Sequence, residues 1–127
     1  MNENDVAKRV IGAAIEVHKV LGPGLLESAY EMSLERELEL QEIRVRRQVG
    51  LPLVYKNVSC DMGYRLDLLV ENRVIVEIKA VEALNDVHIA QVLTYLKLSN
   101  LMLGLLINFN VARLVDGLKR LVNNLPE

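Results

Sequence analysis

Three residues stand out for their chemistry: Asp67, Glu77 and Lys79, carried by two adjoining β-rich runs at residues 62–70 and 73–80. Side chains alternate across a strand, so Glu77 and Lys79 share one face while Val76 and Ile78 take the other. Charged side chains are rarely buried without a partner or a cation. A strand that devotes two positions to them needs a reason. The loop between the runs decides whether Asp67 meets Glu77. A two-residue loop pairs Val70 with Arg73 and sets the carboxylates on opposite faces. A three-residue loop pairs Val70 with Val74, brings Asp67 opposite Glu77, and turns Leu66, Leu68, Val70, Val74, Val76 and Ile78 into one apolar face. The second register is preferred because it keeps that face free of charge.

In that register the two carboxylates lie about 5 Å apart. Anions so close repel each other and raise one pKa unless a cation lies between them. Oxygen donors with no Cys or His beside them suit Mg2+ or Mn2+ rather than zinc. With Lys79 to steady a phosphate or a water, the set matches metal-assisted hydrolysis of a phosphodiester. A cross-strand salt bridge on a solvated sheet fits the same spacing equally well.

Several elements must position these residues. Val6, Val10, Ala14, Val17 and Leu21 recur at helical spacing and predict a first helix, broken sharply by Gly22-Pro23-Gly24. A second helix is expected over about 25–41. Residues 43–55 alternate and predict a half-buried strand, with Pro52 marking an edge or a bulge. After the hairpin, residues 86–98 return to helical character, and 101–107 form a nearly continuous apolar run like a buried strand. The expected fold is α/β in one domain spanning 1–127: two N-terminal helices, then a strand meander, a helix and a parallel strand in a mixed sheet. Residues 111–125 fit either a helix or a short strand beginning at Asp116-Gly117.

Composition narrows the function classes. The chain has 127 residues, one cysteine and a net charge of −2. That excludes a disulfide framework and a strongly basic coat for nucleic acid. No Trp, one Phe and four Tyr leave too few rings for a base-stacking platform. No apolar run reaches the roughly 20 residues of a membrane span, and the polar opening does not read as a signal peptide, so a cytoplasmic protein is expected. Charge is unevenly spread. Residues 27–42 hold six acids against Arg36, whereas 43–56 hold Arg44, Arg46, Arg47 and Lys56 with no acid. Two solvated faces explain this pattern. Arg47, however, shares its register with apolar residues and so is also expected to face a functional groove.

Asp67, followed after nine residues by Glu77-Ile78-Lys79, resembles the core motif of the PD-(D/E)XK nuclease superfamily. The segment from Gly24 through Glu27 to Tyr30, with Gly22-Pro23 before it, resembles the signature of that superfamily's GxxExxY protein family. The likeness spans roughly residues 6–123, including the run Leu106-Ile107-Asn108-Phe109. It implies a restriction-endonuclease-like core. Asp67, Glu77 and the backbone carbonyl of Ile78 would hold Mg2+ or Mn2+, with Glu27 as a candidate further ligand. Lys79 would position the attacking water and stabilise charge on the phosphorus, and Glu27 would be the helix-borne catalytic acid. Gln91 and Tyr95 resemble a Gln-x-x-x-Tyr motif that, with Tyr30 and Arg47, would contact substrate. Leu66 stands where the superfamily's Pro would be, a variable position. The expected function is a metal-dependent nuclease acting on nucleic acid, DNA foremost, without a membrane, and with a second copy of the chain as a candidate partner. The alternative is a catalytically silent nuclease-fold protein that binds nucleic acid or serves assembly.

Overall fold

A computed structural model describes residues 1–126. The chain runs α1 (Glu3–Leu21), α2 (Glu27–Leu40), β1 (Val45–Gly50), β2 (Leu53–Tyr55), β3 (Val58–Cys60), β4 (Arg65–Val70), β5 (Val74–Lys79), α3 (Asp86–Ser99), β6 (Leu103–Asn108) and β7 (Leu118–Val122). α1 starts three residues before the first periodic apolar position. Asn2 caps the amide of Asp5 and Asp5 reciprocates, so the first turn is closed by polar groups alone.

Five strands form one sheet in the order β1-β4-β5-β6-β7, with β5 and β6 parallel and the other pairs antiparallel. The mixed α/β architecture expected from the element pattern is therefore present. Val70 pairs with Val74, the register of the three-residue loop. The expected 43–55 strand is instead two. Its pairing with β4 ends at Gly50, and after Leu51-Pro52 the chain enters a separate two-stranded hairpin, β2–β3. Pro has no amide to extend the ladder, so the break falls beside it. The ambiguous tail resolves as a 3-10 turn at Leu114–Gly117 followed by β7. β6 is buried along its whole length and needs hydrogen-bond partners on its second edge, which β7 supplies.

Helices cover both sheet faces. Val6, Val10, Ala14 and Val17 of α1 and Leu34 and Leu38 of α2 pack on Leu68, Val70, Val76, Ile78, Leu105 and Ile107. On the opposite face Val92, Tyr95 and Leu96 of α3 pack on Ile75, Leu106, Leu66 and Leu69. Each fully buried aliphatic side chain contributes about 1.5–3 kcal/mol. Gly104 lets α3 approach β6 closely, because a Cβ there would come within 2.8 Å of the Val92 Cγ1. Val92 is buried and stiff at χ1, so it yields little. Gly104→Ala is expected to destabilise the fold by about 1–3 kcal/mol, read as a lowered urea midpoint at unchanged slope.

One expectation about the apolar face needs correction. Leu66 lies on the α3 face, not beside Leu68 and Val70. Val45 and Val49 likewise pack on opposite sides of the sheet. The β1–β4 ladder skips one position, Gln48 opposite Asp67, and Gln48 has a left-handed backbone with φ 53°. That local kink reverses which side chains face which layer.

Candidate active site

The site begins at the turn between α1 and α2. Gly22 and Gly24 both have positive φ, 70° and 100°, which fits the sharp break there. Tyr30 is fully buried and stacks on Phe109, with ring centroids 4.5 Å apart. Its hydroxyl donates to the Gly22 carbonyl at 2.6 Å and accepts from the Leu25 amide at 3.1 Å. Tyr30 thus clasps the turn from below and sets the start of α2. Glu27, in the first turn of that helix, accepts a hydrogen bond from the Ala80 amide at 3.2 Å, just past the end of β5. The spacing of Gly24, Glu27 and Tyr30 has a physical reason: one residue bends the chain, one reaches the sheet, one anchors the bend. Tyr30 was expected at the substrate. Its complete burial makes it a brace for Glu27 instead.

The second part is the mouth between β4 and β5. Regular pairing ends at Leu68 and Val76. One step further, the Asp67 amide donates to Glu77 Oε2 at 2.7 Å and the Ile78 amide donates to Asp67 Oδ2 at 2.8 Å. Each carboxylate takes an amide that a regular ladder would give to a backbone carbonyl. β5 stays paired with β6 through Lys79 and Asn108, so β4 is the strand that peels away. The strands part where both opposed positions are acidic, which relieves repulsion between them.

A cavity of about 260 Å3 lies at this mouth, lined by Glu27, Ser28, Glu31, Gln48, Asp67 and Ile78. Glu77 is 4% exposed. Burial, and then the nearby Asp67 anion, push its carboxyl from the usual 4.5 up to about 8, despite the Asp67 amide and the Lys79 ammonium. Burial also raises Asp67, with the Ile78 amide, Lys79 and Gln48 acting in the opposite direction. Lys79 is half-buried and, among the described residues, has no carboxylate within ion-pair distance. The ammonium is therefore not committed to a salt bridge.

Two residues of this site escaped sequence reasoning. Glu31 is 6% exposed, accepts a hydrogen bond from Gln48, and pairs with Arg47 at 3.2 Å. Burial raises its pKa, and Asp67 raises it further. The available signal was its place one turn after Glu27, on the same helix face. Gln48 also reaches Asp67 at 3.4 Å, and nothing local marks it. Arg47, expected to face a groove, instead pairs with both Glu31 and Glu35 of α2. The acidic helix and the basic strand are partners rather than two independent solvated faces.

α3 closes the other side. Tyr95 is 8% exposed, and burial followed by the Glu77 anion pushes its hydroxyl pKa up. Gln91 is half-buried one turn earlier. His88 belongs to the capping box with Asn85 that starts the helix. A larger groove of about 460 Å3 between α1 and α2 contains none of the residues that meet at Asp67.

The donor chemistry suits a divalent cation. Two carboxylates are held together in a partly desolvated place at a cost that positive charge would offset. Glu77 Oε1 has no hydrogen-bond partner among the described residues. No three His, Cys, Asp or Glu side chains among those residues converge on one point. Magnesium tolerates such a sparse set, because it commonly takes one or two carboxylates and completes its shell with water and substrate oxygens.

A family model described as the PD-(D/E)XK nuclease superfamily matches residues 4–121. No curated protein and no solved structure matches the chain.

Proposed function

The chain belongs to the PD-(D/E)XK nuclease superfamily, and on that premise we propose that it is a metal-dependent nuclease hydrolysing phosphodiester bonds, with DNA as the preferred substrate. Asp67, Glu77 and the Ile78 carbonyl would hold Mg2+ or Mn2+, with Glu27 as an additional ligand. We place the chain in the GxxExxY branch because Gly24, Glu27 and Tyr30 act as one device that carries an acid to the mouth of the sheet. The observation that carries the reading is the reciprocal latch of Asp67 and Glu77 where β4 leaves β5, an arrangement that gathers two carboxyl groups in a partly dry cleft.

The chain's own residues divide the work. Asp67 and Glu77 would offer carboxyl oxygens to a cation, whose charge favours loss of the Glu77 proton, and the two amides fix their orientation with Gln48 adding a bond to Asp67. The cation, when bound, supplies Lewis acidity and neutralises charge on the phosphate. Lys79, on the same strand face as Glu77, orients a water and stabilises the oxygens of phosphorus as charge builds there. Gln48, which also donates to Glu31, donates to Asp67, and Arg47 balances Glu31.

Cleavage of labelled DNA and RNA oligonucleotides with Mg2+, Mn2+ or chelator tests the proposal. Cleavage should require metal, and Lys79→Ala should lower its rate by about 100-fold. Calorimetry should show metal binding that Asp67→Ala abolishes. Nucleic-acid affinity without cleavage under any metal would instead favour a silent binding module.

A further inference from the structure

β6 is aliphatic apart from Gly104 and its last residue, Asn108, which is 1% exposed. A buried amide costs free energy unless its polar groups are paired, so its partners show what holds it there. Its Oδ1 accepts from the Val81 amide and from the Asn110 amide, each at 3.1 Å, and its Nδ2 donates to the Val81 carbonyl at 2.9 Å. Main-chain amides can only donate, which fixes the orientation of the side chain. Among the described residues Val81 has no main-chain hydrogen bond. Asn108 holds both of its backbone polar groups, and the Asn110 side chain adds a long contact to the carbonyl at 3.4 Å.

The side chain thus does what one more peptide of β6 would do. The parallel ladder ends with Lys79 beside Asn108, and the Phe109 amide donates to the Lys79 carbonyl at 2.9 Å. That carbonyl shares a trans peptide plane with the Ala80 amide, so the two point in opposite directions. The Ala80 amide therefore faces away from β6 and meets Glu27 Oε2 at 3.2 Å. The next peptide plane carries the Val81 amide and is tied to β6 by Asn108. Ala80 is fixed on both flanks by β6, once through main chain and once through a side chain. Asn108 is itself braced from behind. A Cβ at Gly117 would overlap its carbonyl oxygen, so the 3-10 turn lies directly against it.

We propose that Asn108 is a positioning residue for the active site. By continuing the link between β5 and β6 past Lys79, it holds the Ala80 amide on Glu27 and keeps the strand end that carries Lys79 from fraying. It touches neither metal nor substrate and acts through Ala80. An aliphatic side chain like those before it in β6 would fill the same space, but would leave the amide and carbonyl of Val81 without these partners. The inference rests on the reading that Glu27 and Lys79 serve the cleavage site.

Residue-resolved amide hydrogen exchange of the metal-free protein, with steady-state cleavage in Mg2+ alongside, tests this role. Asn108→Ala should speed exchange at Ala80 by about 10-fold while the latch amides of Asp67 and Ile78 stay as slow as in wild type. It should lower kcat about 10-fold at nearly unchanged KM, and in a Glu27→Ala background it should add little, since both changes disable one device. Asn108→Ser, polar but too short to span both groups of Val81, carries the same expectations should the Ala variant fail to fold. Gly104→Ala, on the same strand, supplies the contrast. Its faster exchange should spread over the whole sheet, and its effect on kcat should be the same with and without Glu27. Wild-type exchange at Ala80 in a folded Asn108 variant, or independent effects of Asn108 and Glu27 on kcat, overturns the inference. Faster exchange confined to Ala80 and Val81, in a chain that cleaves no nucleic acid, supports the link from Asn108 to Glu27 and defeats the nuclease reading. Cleavage that is unchanged in the Asn108 variants, with Ala80 still protected, does the reverse.

Discussion

Glu77→Gln is expected to reduce metal-dependent cleavage by about 1,000-fold, the scale of several kcal/mol of lost charge stabilisation, while making the metal-free protein more stable at pH 8. Gln can still accept the Asp67 amide through its carbonyl, so the latch between β4 and β5 survives. What disappears is the buried charge. In the folded chain Glu77 keeps its proton up to about pH 8, whereas in the unfolded chain it releases it near 4.5. Between those values the folded state binds more protons, so stability falls as pH rises through the window and is greatest below its lower edge. Wild type and Glu77→Gln should therefore unfold alike at pH 4. At pH 8 in chelator the variant should be more stable by as much as about 4 kcal/mol. Adding Mg2+ should close that gap by stabilising wild type alone, since a ligand bound only by the folded state raises its stability. Urea unfolding at the two pH values, with and without metal, measures all of this. A variant that cleaves normally, or that is no more stable than wild type at pH 8, would remove Glu77 from the proposed role.

Phe109→Ala should destabilise the fold by about 3–5 kcal/mol. Phe109 is fully buried, stacks on Tyr30 at 4.5 Å, and meets the ring of His18 of α1 at 6.3 Å. Its amide donates to the Lys79 carbonyl at 2.9 Å, extending the link between β6 and β5. One ring thus joins both N-terminal helices to the strand end that carries Lys79. Its removal leaves a cavity beneath Tyr30, and the turn that sets Glu27 loses its support. Because small domains are stable by only about 5–15 kcal/mol, the loss should appear as a large fall in the urea midpoint. Phe109→Leu, which keeps most of the volume, should lose less stability and retain more cleavage. Equal, small effects of both substitutions would show that the stack is not what holds α2 in place.

Much of the architecture was legible because helical and strand periods depend on short-range backbone geometry. α3 and the register of the β4–β5 hairpin came from spacing alone, the latter because one loop length keeps charge off one face. The same reasoning placed Asp67 opposite Glu77. Spacing carries no sign that the ladder ends there. The side-chain carboxylates compete for the amides, and that competition appears only when both strands are in place.

The amino-acid sequence by itself determined the order of elements, the mixed sheet, and the chemical identity of Asp67, Glu77 and Lys79 on adjoining strands. Those properties follow from neighbours a few residues apart. The tertiary structure decided the rest. It buried Tyr30, paired Arg47 with Glu31 and Glu35, and set Tyr64 beside Tyr95. It reversed the faces of β1 and β4 at Gln48 and Asp67, and made a strand of the tail. Exposure, pairing and edge completion depend on which distant segment packs over a residue, and no local period carries that information.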